Sequence, residues 1–186
     1  MLKDVDMRLR LLEQLNSANA GHDYRVIQEL AVCDGEARVD VAVANGKLCG
    51  YEIKSDADTL ERLPMQQKCY DKTFDTISIV VGKKYENIIE QYIPDYWGIF
   101  IISANLNGCK IKKKRNAKVN KNVEANALLE LLWKDEIASL LKEYGIKGIS
   151  GKNRRILRQL AVDELSLKII RDYVRETLKS RKNWRT

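Results

Sequence analysis

The chain has 186 residues, with 33 Lys and Arg against 26 Asp and Glu, a formal net charge of +7; it suits one domain, or a core with a small appendage, and its charge favours a polyanionic partner. No apolar run approaches a membrane span and Met1-Leu2-Lys3-Asp4-Val5-Asp6 is no signal peptide, so a cytoplasmic protein without a membrane partner is expected. Cys33, Cys49, Cys69 and Cys109 are scattered, with only His22 for company, which argues for reduced core thiols and against a zinc site.

Asp4 to Leu15 carries Leu9 and Leu12 at helical spacing, with Val5 and Arg8 alongside, and predicts a first helix ending near Asn16-Ser17. Tyr24 to Val32 reads as a strand, and Asp34-Gly35 as the turn into a second strand. That second strand, Arg38-Val39-Asp40-Val41-Ala42-Val43, and the next, Gly50-Tyr51-Glu52-Ile53-Lys54, flank Asn45-Gly46-Lys47 and carry acids where buried strands favour apolar residues. Asn-Gly suggests a two-residue turn, which would set Asp40 opposite Tyr51 and mix charge into each apolar face. A three-residue loop, with Gly46 or Lys47 left-handed, instead pairs Ala44 with Leu48, Ala42 with Gly50 and Asp40 with Glu52. The valines then share a face with Cys49, Tyr51 and Ile53. Because a one-residue slip flips every side chain, the hydrophobic pattern selects the second register. It places Asp40 beside Glu52, with Ala42, Ala44 and Gly50 leaving room around them.

Two carboxylates that close repel unless something positive lies between them. A hard cation takes such oxygen ligands, and Lys54, on the same face as Glu52, can orient a water or stabilise charge on a phosphate. The bland alternative is a solvated sheet face on which Arg38, Asp40, Glu52 and Lys54 form cross-strand ion pairs. Downstream, Asp58-Thr59-Leu60-Glu61 reads as a capping box, or else the helix begins nearer Leu63 with Pro64 in its first turn. Either start stacks Gln66 and Tyr70, four residues apart, on one face; Gln66 reads as a ligand for water or phosphate, or as an ordinary surface amide.

Thr76 to Val81 is a short apolar run, expected as a central strand parallel to the Glu52 strand after a helical crossover. Tyr85 to Tyr92 suggests a helix, Trp97 to Ile102 a strand, and Gly108 to Lys114 an edge strand protected by its lysines. These elements predict an α/β sandwich, a mixed sheet with helices on both faces. Composition shifts near residue 120, so an α/β core over 1–120 and a helical extension over 121–186, packed on the core, are expected. Ala138 to Leu160 resembles helix-turn-helix, but its loop from Gly145 to Gly151 is long for that motif. Lys152, Arg154, Arg155 and Arg158 are candidates to face a substrate instead. Lys110 to Lys121 holds seven basic residues and no acid, and Lys179 to Arg185 repeats the pattern around Trp184. Each run is either a solvated surface or a phosphate track.

Asp40, then Glu52-x-Lys54, then Gln66-x-x-x-Tyr70 resembles the core of the PD-(D/E)XK nuclease superfamily. More narrowly, Arg38-x-Asp40 with Glu52-Ile53-Lys54-Ser55-Asp56-x-Asp58-Thr59-Leu60-x-Arg62-Leu63 is similar to a branch of small bacterial and phage proteins within it. The resemblance is densest over roughly residues 25 to 103. It implies a restriction-endonuclease-like core and Mg²⁺ or Mn²⁺ held by Asp40, Glu52 and the Ile53 carbonyl, with Lys54 orienting the attacking water. Glu29 is the candidate for an upstream glutamate, with Glu13 and Glu36 as alternatives; Val39 stands where the superfamily has proline. The implied activity is hydrolysis of phosphodiester bonds, DNA foremost, to 5′-phosphate and 3′-hydroxyl ends, with Gln66 assisting. Lys110, Lys112, Lys113, Lys114, Arg115, Arg62 and Tyr70 are the expected nucleic-acid contacts. Junction or double-strand cleavage would want two active sites and hence a homodimer. A non-catalytic nucleic-acid-binding or assembly module on the same fold is the rival expectation.

Overall fold

Six strands form one sheet in chain order: β1 (Arg25–Val32), β2 (Ala37–Ala44), β3 (Leu48–Lys54), β4 (Thr76–Gly82), β5 (Gly98–Asn105) and β6 (Gly108–Arg115). This computed structural model describes residues 3–105, 108–182 and 184, so Asn183 and Arg185 of the basic tail lie outside the described residues. β2 runs antiparallel to both of its neighbours β1 and β3, β3, β4 and β5 are parallel, and β6 returns antiparallel on β5. The mixed α/β sheet flanked by helices is therefore as the sequence predicts, including the parallel entry of β4 and the edge position of β6.

One face of the sheet is covered by α1 (Asp4–Asn19), whose Met7, Leu11 and Leu15 pack with Val41, Val43, Ile53, Val80 and Ile102. The core stripe of α1 is thus not the one the leucine spacing suggests, and Leu9 is exposed. The other face takes α2 (Leu63–Thr73) and the helices α3 (Ala125–Leu129), α4 (Lys134–Glu143), α5 (Arg154–Glu164) and α6 (Leu167–Ser180). Leu63, Tyr70 and Phe74 join Ile170, Val174 and Leu178 in one cluster there, so a single core runs across residue 120. Asp75 fastens the two parts. Its carboxylate accepts the Leu48 N–H at 2.6 Å at the start of β3 and pairs with Arg175 of α6 at 2.7 Å.

Two local expectations are decided, the start of α2 and the segment after β4. The capping box at Asp58 does not form: α2 starts at Leu63 with Pro64 in its first turn, where a missing N–H costs nothing, and Asp58 closes a turn by accepting from Ser55 N–H and Oγ–H. Tyr85 to Tyr92 is no helix but two short 3₁₀ turns, Lys83–Tyr85 and Ile89–Gln91. The β2–β3 loop has three residues, with Ala44 opposite Leu48, Ala42 opposite Gly50, and Gly46 at φ 89°. The room expected beside Gly50 is filled, because a Cβ there would meet the Phe74 ring at 2.9 Å. Gly50→Ala should therefore lower the denaturant midpoint by about 1–3 kcal/mol of stability through overpacking, and Phe74→Leu added to it should recover part of the loss.

Candidate functional site

The β2–β3 ladder runs from Ala44–Leu48 to Val41–Tyr51. Beyond it Asp40 turns its carboxylate between the strands, and Oδ2 accepts the Ile53 N–H at 2.7 Å in place of a main-chain carbonyl. The packing explains the departure. Val41 and Val43 face α1 as the alternation predicts, but Val39 faces α2, so the pleat slips at Asp40. Across the slip on β1 sits Glu29, skipped in the β1–β2 ladder and left-handed at φ 55°, a backbone that costs a non-glycine residue about 1–3 kcal/mol.

Glu52 and Lys54 point from β3 toward α2 and are only 2% and 4% exposed, which rules out the solvated-face alternative. Lys54 Nζ lies 2.8 Å from Glu52 Oε1 and donates to Gln66 Oε1 at 3.0 Å. Gln66 Nε2 donates back to Glu52 Oε1 at 2.7 Å. The Tyr70 hydroxyl is 2.7 Å from Glu52 Oε2 and 2.8 Å from the Arg38 carbonyl, and its single proton serves one of them at a time. Burial, then the charge of Glu52, pushes the Tyr70 phenol up, so it remains a donor. Gln66 is buried too and is no surface amide.

Arg8 of α1 is the site residue that the sequence reading missed. Its guanidinium donates to Asp40 Oδ1 at 2.7 Å and to the Asp40 carbonyl at 3.0 Å, and it pairs with Glu29 Oε1 at 2.8 Å. The available signal was a cation flanking the Met7–Leu11–Leu15 stripe, placed to meet an acid on the sheet beneath. Asp40 is pushed up to about 6, first by burial and then by Glu52, while the Ile53 N–H and Arg8 pull the other way.

A cavity of about 370 Å³ opens over these groups, lined by Asp40, Glu52, Ile53, Lys54 and Gln66, with Glu29, Arg38 and Arg62 among its other walls. Among the described residues no group of three or more His, Cys, Asp or Glu is brought together as a metal cage. Oxygen donors of the kind a hard divalent cation takes do line the cavity. Two carboxylates flank the gap, and the Ile53 carbonyl leaves β3 on the same side as the N–H that meets Asp40. Hard cations complete their shells with water and substrate oxygens. Glu29, the expected third carboxylate, lines the cavity but is engaged by Arg8.

The expected nucleic-acid contacts divide. Arg62 is exposed at the cavity. Tyr70 is fully buried and cannot touch a nucleic acid; it serves Glu52 instead. Lys110, Lys112, Lys113, Lys114 and Arg115 lie on β6, three strands from β3, on the order of 14 Å at normal strand spacing. Lys114 is tied to Glu90 and Arg115 clamps the carbonyls of Trp97 and Pro94, so Arg115 is a structural brace. Arg154 and Arg158 are likewise committed, to the carbonyls of Leu132 and Glu130 and to Asp34 respectively. No helix among the described residues is long and apolar enough to cross a membrane.

A family model described as Bacteriophage P4 protein cII matches residues 2–185. "Protein cII" of Enterobacteria phage P4 is 30% identical over 181 residues, spanning 97% of this chain and 68% of that protein. A solved structure of SPO1766, a protein of unknown function from Silicibacter pomeroyi, aligns with a TM-score of 0.48 at 19% identity, covering 89% of this chain and 97% of that one.

The raised Asp40 value has a stability consequence. Folding takes up a proton between the ordinary value near 3.8 and about 6, so this group's contribution to stability declines as pH rises through that window. In chelator, Asp40→Asn should raise the free energy of unfolding at pH well above the window, by up to about 3 kcal/mol. The gain should vanish below the window; an equal gain at both ends would contradict the assignment.

Proposed function

The chain belongs to the Bacteriophage P4 protein cII family, and we propose that it is a divalent-metal-dependent nuclease hydrolysing phosphodiester bonds, with DNA as its substrate. The observation that carries this reading is the burial of Glu52 and Lys54 together, with Asp40 turned into the adjoining strand gap. Burying ions costs several kcal/mol apiece unless well compensated, and a site for charge chemistry is a reason to bear it. We read the sheet, with α1 on one face and α2 on the other, as a restriction-endonuclease-like core on that basis.

In this proposal Asp40, Glu52 and the Ile53 carbonyl hold Mg²⁺ or Mn²⁺. When bound, such a cation supplies Lewis-acid polarisation of the scissile phosphate and stabilises the charge that develops on it. The remaining chemistry belongs to the chain. Lys54 has three donors and commits two to Glu52 and Gln66; the third orients the attacking water and stabilises phosphate charge. Gln66 fixes Lys54 and Glu52 relative to each other, and Tyr70 locks the second oxygen of Glu52. Arg62 and Arg38, on the cavity wall, bind flanking phosphates. Arg8 holds Asp40 Oδ1 and competes with a cation for it.

The second reading, a non-catalytic nucleic-acid-binding or assembly module, is favoured by one observation. Every carboxylate oxygen of Asp40 and Glu52 already has a partner within the chain. Cleavage separates the two. Purified protein with Mg²⁺ or Mn²⁺ should cut at least one of supercoiled, linear, single-stranded or branched DNA. Asp40→Ala, Glu52→Ala and Lys54→Ala should each lower the rate by at least about 10²-fold while DNA binding persists. Mn²⁺ at about 100 times its dissociation constant should stabilise the parent by roughly 2.7 kcal/mol and leave Asp40→Ala unmoved. Salt-sensitive binding without cleavage and without a Mn²⁺ shift would establish the second reading.

A further inference from the structure

A second cavity, of about 650 Å³, runs along the outer edge of β1 and shares Glu29 and Arg38 with the cavity over Asp40 and Glu52. Its floor is an edge strand, hydrogen-bonded in the sheet only to β2. Its far wall is an aromatic and guanidinium stack. Arg181 lies 4.3 Å from the ring centre of Trp133 and 4.6 Å from that of Trp184. It is pinned there by Glu136 and the Leu131 carbonyl. Arg25, 5.9 Å from the Trp184 ring, is the loosest member.

Two features of this groove call for a ligand. Trp184 Nε1 is shielded from solvent without an acceptor among the described residues, and burying such a donor costs free energy. Positive charge also exceeds negative. Of the arginines lining the groove, Arg181 is paired with Glu136 and Arg154 lies 3.8 Å from Asp34, which leaves Arg25 and Arg38 to a ligand, whereas Glu29 is matched by Arg8 and Glu130 by Arg158. Arg154 is pushed down, first by burial and then by Arg158, while Asp34 and Glu130 pull the other way. An anionic occupant relieves the positive charge.

We propose that this groove binds an unpaired nucleic-acid strand and leads it past Arg38 into the cavity over Asp40 and Glu52. Rings and guanidinium planes can stack only on bases whose faces are open, and paired bases within a duplex do not offer them. The backbone's phosphates meet Arg25 and Arg38, and a base takes the place of Arg25 on Trp184. An extended peptide adding to the β1 edge is the competing occupant; the excess of arginines and the shared wall with a phosphodiesterase-type site favour the polyanion. The proposal rests on that site acting on nucleic acid, and names its substrate as single strands or the unpaired ends of duplexes.

The test is binding in chelator, where no cleavage occurs, followed separately by cleavage in Mn²⁺. A fluorescein-labelled oligothymidylate should bind the parent protein at least about 10-fold more tightly than a blunt duplex of the same length and quench tryptophan emission. Trp184→Ala and, independently, Arg25→Glu should each weaken oligothymidylate binding about 10-fold with melting temperatures near the parent's, and the Arg25→Glu deficit should shrink at high salt. The Mn²⁺ assay on duplexes with and without an unpaired end then reports on the catalytic reading alone. Cleavage combined with unchanged oligothymidylate binding in both variants would overturn the groove and leave the nuclease standing. Variant-sensitive binding without cleavage would support the groove and remove the nuclease. Quenching by polyglutamate but not by oligothymidylate would mark a protein-docking edge and overturn the proposal.

Discussion

Burying an ion pair inside the sheet is the constraint to which the rest of the structure answers. Glu52 and Lys54 lie almost wholly inside, and their attraction alone does not repay the water they lose. The deficit is closed by Gln66 and Tyr70, one turn apart on α2, which supply a carbonyl, an amide and a hydroxyl in the places where water would be. The position of α2 follows from that requirement. Pro64 delays its start, Leu63 and Phe74 seat it on the sheet, and Gly50 yields its side-chain space to the Phe74 ring.

Asp40 solves a different problem. The sheet has a separate apolar cluster on each face, and Val39 belongs to one while Val41 belongs to the other. The residue between them cannot complete a regular ladder, so its carboxylate takes over as hydrogen-bond acceptor for β3 and its strain partner Glu29 goes left-handed. Charge collects at the seam between the clusters. Arg8, reaching down from the helix on one face, and Gln66, rising from the helix on the other, meet there.

Much of this was legible, and what was not has physical reasons. The three-residue loop followed from side-chain alternation outweighing the Asn-Gly signal, and β4, β5 and β6 followed from short apolar runs and an edge rich in lysine. The register brought Asp40 and Glu52 to one neighbourhood because it is a local property, but the ladder stops at Val41–Tyr51 and Asp40 accepts the Ile53 N–H where a cross-strand pair with Glu52 was expected. Arg8 could not, since it meets Asp40 across 32 residues of sequence through helix-on-sheet packing that no local rule encodes. Tyr70 looked available because a tyrosine carries a polar tip, yet that tip is consumed inside the fold. The lysines of β6 looked like part of the site because charge runs are visible in sequence, whereas sheet order, which places them at the other edge, is not. The Trp133–Arg181–Trp184 stack joins the end of the chain to its middle and was equally invisible.

The grip of Asp75 on both Leu48 and Arg175 reaches into the history of each molecule. β3 carries Glu52 and Lys54, and its first residue is anchored by a carboxylate whose counter-charges sit on α6. During synthesis, segments emerge from the N-terminus onward, so β3 is exposed long before Arg171 and Arg175 exist to neutralise the acid that fastens it. Until α6 docks, Asp75 keeps its bond to the Leu48 N–H but has neither Arg171 nor Arg175 beside it. Seating of the charged centre is thereby tied to the arrival of α6, far downstream of β3 in the chain.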